Sequence, residues 1–185
     1  LLAACGGDAP TRPTPTTPTC VRLPAPPGAQ PAIAAAVVPD VSPYDALFAG
    51  AGAEFGVPAE VLRAIGYVET RWQMVEGHEE FGGMPAAFGV MVLRGDRLRE
   101  GARLAGVAED AVRRDPRANV RAAAALLRSY ADALGVAGAD AEAWAPAIER
   151  FSGIALAEGR TSYRREVSAV RAGRRSAPEG AAALP

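Results

Sequence analysis

Residues 58–72, PAEVLRAIGYVETRW, predict an amphipathic helix that carries an acidic side chain on its apolar face. Pro58 suits the start of a helix, and Leu62, Ile65 and Glu69 follow at i, i+3 and i+7. Burial and the negative end of the helix dipole both disfavour an ionised carboxylate at Glu69. A carboxyl group held neutral near pH 7 can act as a general acid. Glu69 is therefore the candidate catalytic residue.

A purely structural role is the alternative for Glu69. Arg63 and Arg71 lie on or beside the same helix, and a glutamate near a helix end commonly forms a surface ion pair with such a neighbour. The two interpretations differ in where the carboxylate points, toward a cleft or toward solvent.

The sequence before and after this helix predicts further helices with clear start and stop signals. Their predicted limits are Ser42-Pro43 to Phe55, two short helices that begin near Asp96 and Asp110, the longest helix from Asp115-Pro116 to Gly135, Asp140 to Phe151, and a last helix from Ser162. A long glycine-rich loop follows residue 72, and only residues 88–93 offer a candidate hairpin. The pattern predicts an all-α domain with at most a minor hairpin.

The distribution of prolines separates the predicted helical domain from the rest of the chain. Ten of the 16 prolines precede residue 44, and such Pro/Thr-rich sequence favours an extended, semi-rigid spacer. We therefore expect a disordered linker over residues 5–43, a domain of about 130 residues over 44–173, and a second linker or tail over 174–185.

The first five residues, LLAAC, look like the end of a signal peptide followed by a bacterial lipobox. Residues 1–4 would be removed, and Cys5 would accept the lipid that anchors the protein to a membrane. This predicts a lipoprotein of the bacterial cell envelope that faces the periplasm or the cell exterior. Cys20 is then an incidental linker thiol, or else pairs with another molecule.

Composition argues against several other functions. A net charge of −1 and a pI near 5.9 disfavour a nucleic-acid binder. His78 is the only histidine and no cysteine lies in the core, so we expect no zinc site and no cofactor. All 20 basic residues are arginines, which we attribute to codon bias. The arginine-rich segments are either solvated helix faces or attract anionic wall polymers.

Four segments together resemble the lysozyme-like domain of lytic transglycosylases, above all those that precede N-acetylmuramoyl-L-alanine amidase domains. Residues 64–72 resemble the catalytic helix, in which a glutamate and a small hydroxyl residue end a helix. Residues 87–93, AFGVMVL, resemble the Gly-x-Met turn beside that glutamate. Residues 115–124, DPRANVRAAA, resemble the closing helix, and residues 150–153, RFSG, take the place of the fourth motif.

The resemblance implies a lysozyme-like fold and cleavage of the β-1,4 bond between N-acetylmuramic acid and N-acetylglucosamine in peptidoglycan. Glu69 would protonate the leaving oxygen and then act as the base while the muramoyl 6-hydroxyl closes a 1,6-anhydro ring. No second carboxylate is required for this reaction. If Glu76, Glu79 or Glu80 approached Glu69, hydrolysis by water would become the alternative.

The resemblance also assigns residues to substrate binding: Thr70, Trp72, Phe88, Gly89, Met91, Phe151, Ser152 and Tyr163. Trp72 and Phe81 could stack on sugar rings or belong to the local core. Thr70 replaces the commoner serine, and Val92 replaces a common glutamine. Phe151 lacks the hydroxyl of the usual tyrosine, for which Ser152 or Tyr163 could substitute.

Three functions follow from these patterns. The first is a monomeric, membrane-anchored peptidoglycan lytic enzyme whose partners are glycan strands. The second is a catalytically degenerate module that binds glycan and positions a downstream amidase or other domain. The third is a helical scaffold of the envelope without a sugar site.

Overall fold

A computed structural model describes residues 41–79, 82–138 and 140–173 of the chain. The lipobox, Cys5, Cys20, the first predicted linker up to residue 40, the predicted tail 174–185, Glu80 and Phe81 lie outside the described residues. Helices account for 65 % of the described residues, and the remaining regular structure is a small sheet of three strands. The prediction of a domain dominated by helices is confirmed.

The elements follow one another along the chain in an order close to the predicted one. They are α1 (Asp45–Phe55), α2 (Ala59–Thr70), β1 (Glu76–His78), β2 (Ala87–Phe88), β3 (Leu93–Arg94), α3 (Gly95–Ala105), α4 (Glu109–Arg114), α5 (Pro116–Ala133), a 3-10 helix (Ala141–Trp144), α6 (Ala145–Phe151) and α7 (Ala157–Arg171).

The sheet is antiparallel with the strand order β1-β2-β3. Phe88 pairs with Leu93 across β2 and β3, so the predicted hairpin is confirmed. The prediction of a loop at Glu76 is wrong, because this residue begins β1. Three residues are too few to show the alternation that identifies a strand, and pairing with β2 rather than its own pattern defines β1.

Helix α5 forms the centre of the domain and packs against α1, α3, α4 and α6. Its residues 122–125 are four consecutive buried alanines, whose small side chains allow neighbouring backbones to approach closely. A Cβ added at Gly101 of α3 would lie 2.8 Å from the carbonyl oxygen of Ala122. Small residues on both helices therefore set the distance between α3 and α5.

Helix starts agree with the sequence where an aspartate side chain caps the backbone. Asp115 accepts a hydrogen bond from the Arg117 N–H at 2.9 Å, and Asp140 accepts one from the Glu142 N–H at 3.0 Å. The prediction that Ser162 caps the last helix is wrong, because α7 begins five residues earlier at Ala157. Glu158 in its first turn interacts favourably with the helix dipole.

Most of the described arginines lie beside carboxylates, which supports the interpretation of the arginine-rich segments as solvated helix faces. Arg103 pairs with Glu100 and Arg113 with Glu109 within their own helices. Pairs between elements are Arg63 with Asp45, Arg121 with Glu54, Arg164 with Glu149 and Arg171 with Glu142. Among the described residues, no helix is long and apolar enough to cross a membrane.

Two glycine substitutions test the close packing of α3 on α5. Gly101→Ala should lower the free energy of unfolding by about 1–3 kcal/mol, because the new methyl group overlaps the α5 backbone. Gly50→Ala is the matched control, since a Cβ at this exposed position of α1 meets nothing within 4 Å. It should raise stability by about 0.5–1 kcal/mol through helix propensity.

Chemical denaturation measures both changes. Equal stability gains in the two variants would contradict the close contact between α3 and α5.

Candidate functional site

Glu69 lies one residue before the end of α2, where α2 packs against α7. Its side chain is half-buried, and its Oε1 accepts a hydrogen bond of 2.6 Å from the hydroxyl of Tyr163. Tyr163 lies on the face of α7 that also carries the buried Val167 and Val170, at i+4 and i+7. The contact thus joins two residues that are 94 positions apart in the chain.

The environment of Tyr163 keeps its phenol protonated. Burial raises the pKa of Tyr163 well above its usual value, and the negative charge of Glu69 and the hydrogen bond to it act in the same direction. The positive charge of Arg97 on α3 opposes these effects but does not reverse them. The tyrosine therefore remains a hydrogen-bond donor to Glu69 across the physiological pH range.

The end of α2 is fixed by Arg71. This residue has a left-handed backbone with φ 55°, and its N–H donates to the carbonyl of Tyr67. Its guanidinium also donates to the carbonyls of Tyr67 and Val68, at 2.6 and 3.1 Å, and lies 3.9 Å from Glu166 of α7. Arg71 thereby satisfies carbonyl groups that a helix end leaves without partners.

Thr70 joins the end of α2 to the turn that follows β2. Its hydroxyl lies 3.0 Å from the carbonyl oxygens of Gly66 and Val90, and it accepts a bond from the Gln73 N–H. The resemblance to lytic transglycosylases assigns Thr70 to substrate binding. The structure instead uses its hydroxyl to hold the turn beside Glu69.

The turn Gly89–Val92 is anchored from the other side by Asn119 of α5. Asn119 is fully buried, and its Oδ1 accepts a bond from the Met91 N–H at 2.9 Å. Its Nδ2 donates to the carbonyls of Phe88 and Val112, each at 3.1 Å. One side chain therefore connects β2, the turn and the end of α4.

The backbone angles of Gly89 and Val92, and the limited space at Gly89, fit the position of the Asn119 side chain. Gly89 has φ 77°, and a Cβ there would lie 2.1 Å from the amide of Asn119, so no larger residue fits. Val92 has φ 49°, an unusual value for a β-branched residue. The surrounding contacts hold it in that strained conformation.

Three residues expected to contact sugar are core residues instead. Trp72 is 5 % exposed, donates its Nε1–H to the carbonyl of Arg63 at 2.9 Å and packs edge-on against Tyr67. Met91 and Phe151 are each 1 % exposed. Both belong to the hydrophobic core, and burial removes them from direct contact with a ligand.

Ser152 has no free hydroxyl to replace that of a tyrosine at position 151. Its Oγ donates to the carbonyl of Glu149 at 2.7 Å and accepts a bond from the Ile154 N–H at 3.2 Å. Of the two substitutes that the sequence offered, Tyr163 is the one whose hydroxyl the structure brings to Glu69.

Phe88 lines a groove of about 440 Å³ together with Glu76, Arg113 and Arg114. The half-buried ring of Phe88 lies 5.6 Å from the guanidinium carbon of Arg113. Phe88, which the resemblance assigns to substrate binding, therefore faces an open groove. Within the described part of the chain, no three His, Cys, Asp or Glu side chains come together to hold a metal ion.

Comparisons with models of protein families, with curated proteins and with solved structures found no match for this chain.

Sequence reasoning missed the roles of Asn119, Arg71 and Arg97. Asn119 could have been found, because it is a lone amide among the apolar residues of the longest helix, where a buried polar group needs partners. Arg71 and Arg97 gave no such signal. Their positions depend on a left-handed helix end at Arg71 and on the contact of Arg97 with the carbonyl of Phe151, 54 residues away in the chain.

Asn119→Ala tests the anchoring of the turn. The substitution leaves the Met91 N–H and two carbonyls without their partner, and we expect the free energy of unfolding to fall by about 3 kcal/mol. Arg117→Ala, an exposed change on the same helix, should alter it by less than about 0.5 kcal/mol. Denaturant unfolding that gives similar values for both variants would refute the role of Asn119.

Tyr163→Phe tests the environment of the phenol at alkaline pH. Because the pKa of Tyr163 is raised in the folded state, the unfolded chain loses this proton first, and stability should decline as the pH rises above about 10. The variant should decline less steeply. The chain has no lysine, so ammonium groups of side chains do not contribute in this range.

Stability against pH measures this effect, and tyrosinate absorbance of the wild type minus the variant gives the titration of Tyr163 alone. A difference curve centred at or below pH 10 would contradict the buried contact with Glu69.

Proposed function

We propose that this domain cleaves peptidoglycan glycan strands as a lytic transglycosylase, with Glu69 as general acid and base. The observation that carries the proposal is the half-buried carboxyl group of Glu69 at the end of α2, bound by the Tyr163 hydroxyl at 2.6 Å. A carboxyl group that is partly withdrawn from water and oriented by a neutral donor suits proton transfer.

The proposed reaction needs one carboxyl group. Glu69 donates its proton to the oxygen between N-acetylmuramic acid and N-acetylglucosamine, and the bond from that oxygen to the anomeric carbon breaks. The Glu69 carboxylate then takes the proton of the muramoyl 6-hydroxyl, whose oxygen bonds to the anomeric carbon. The 1,6-anhydro ring closes, no water is consumed, and Glu69 regains its starting protonation state.

Tyr163 and the turn have distinct roles in this proposal. Tyr163 is a positioning residue that fixes one carboxyl oxygen of Glu69. Thr70 and Asn119 hold the turn Gly89–Val92 beside the carboxyl group, and this shapes the wall of the site. Preorganisation of this kind reduces the motion required at the moment of proton transfer.

A lysozyme-like arrangement is part of the same proposal. It is supported by a helix that ends at the acidic residue, a small sheet directly after it and a long central helix that binds the turn. The envelope location and the lipid anchor on Cys5 are proposed from the lipobox and the proline-rich spacer. They would hold the domain away from the membrane, near glycan strands.

Glu69→Gln tests the proposal with purified peptidoglycan as substrate. The wild type should release anhydro-muropeptides, and the variant should lose about a hundredfold to ten-thousandfold of the rate, because the amide cannot transfer the proton. Glu60→Gln is the matched control. It makes the same change at an exposed position of α2 and should retain full activity.

The products separate the alternatives. Fragments with reducing ends would indicate a hydrolase that uses water and would contradict a transglycosylase. Binding of peptidoglycan without any product would favour a degenerate glycan-binding module, and absence of binding would leave a helical scaffold.

A further inference from the structure

Two arginines differ from most others of the domain. Arg97 of α3 and Arg150 of α6 form no ion pair with a carboxylate among the residues that the structure describes. Arg97 donates to the carbonyl of Phe151 instead. Arg150 is exposed and lies over the ring of Tyr130, 4.5 Å from its centre.

Both guanidinium groups act on Tyr130 of α5. Their positive charges lower the pKa of its hydroxyl, although burial has a larger effect and raises it. Arg97 also acts on Tyr163, the residue bound to Glu69. Arg97 is therefore within electrostatic range of both tyrosines, and its contacts with the carbonyl and the ring of Phe151 place it beside the residue that follows Arg150 in the chain.

One acidic side chain that acts on Tyr130 is already paired with another arginine. The nearby acidic side chain whose charge acts on Tyr130 is Glu100, and both of its oxygens are bound by Arg103, at 2.9 and 2.7 Å. Arg150 is exposed, and Arg97 and Tyr130 are half-buried, so a ligand can reach all three.

We propose that Arg97, Arg150 and the Tyr130 hydroxyl form an anion subsite that binds a carboxylate of the glycan substrate. The inference rests on the proposed function and adds a source of substrate selectivity to it. Guanidinium groups bind carboxylates through two parallel hydrogen bonds, which gives orientation as well as attraction. A tyrosine hydroxyl can donate a further bond to the same carboxylate.

Peptidoglycan strands present carboxylates from two sources. Strands without peptides carry a free lactyl carboxylate on each muramic acid. Strands with peptides have that group bound in an amide, and their carboxylates lie on the peptide. Chitin oligosaccharides have the same β-1,4 linkage and N-acetyl groups but carry no carboxylate, which makes them a matched control ligand.

The test is a binding titration by calorimetry with the full chain carrying Glu69→Gln, which prevents turnover. Adding Arg150→Gln should weaken binding of carboxylate-bearing strands roughly tenfold, since a charged hydrogen bond is lost. Arg150→Lys should restore part of the affinity, and chitin binding should not change. Arg117→Gln, an exposed change of the same charge on α5, should have no effect.

Each outcome decides the proposal. A loss confined to peptide-free strands assigns the subsite to the lactyl carboxylate, and a loss confined to peptide-bearing strands assigns it to the peptide. An unchanged affinity, or an equal loss with chitin, overturns the subsite even if the wild type cleaves peptidoglycan. An Arg150-dependent affinity in a protein that cleaves nothing supports the subsite while the proposed catalytic function fails.

Discussion

The buried amide of Asn119 is the interaction on which the candidate site depends. It satisfies three backbone groups of β2, the turn Gly89–Val92 and the end of α4, and unpaired groups at such depth would strongly destabilise the fold. The same amide excludes any side chain at Gly89. The turn can therefore approach the end of α2, where the hydroxyl of Thr70 meets the carbonyl of Val90.

Two helices, α5 and α7, bring the parts of the candidate site together. Helix α5 holds the turn that contacts Thr70 of α2, and α7 brings Tyr163 to the carboxyl group of Glu69. Arg71 fixes the end of α2 through its carbonyls and lies near Glu166 of α7. The carboxyl group is thus oriented by elements that are distant in sequence, which is a common way to preorganise a reactive group.

The sequence predicted the helical domain, the hairpin and the half-buried position of Glu69, because periodic apolar residues, aspartate caps and an acid on an apolar face are local signals. It assigned Trp72, Met91 and Phe151 to sugar contacts, but burial depends on tertiary packing and places them in the core. Strand β1 exists only through its pairing with β2. The roles of Arg97 and Asn119 likewise arise from contacts between distant segments.

We propose that Glu69, oriented by Tyr163, transfers a proton in both halves of a cleavage that consumes no water. The decisive measurement is digestion of purified peptidoglycan in water enriched in heavy oxygen, followed by mass spectrometry of the fragments. The proposed reaction should release anhydro-muropeptides that carry no heavy oxygen at the anomeric carbon. Fragments with one heavy oxygen at a reducing end, or no fragments at all, would contradict it.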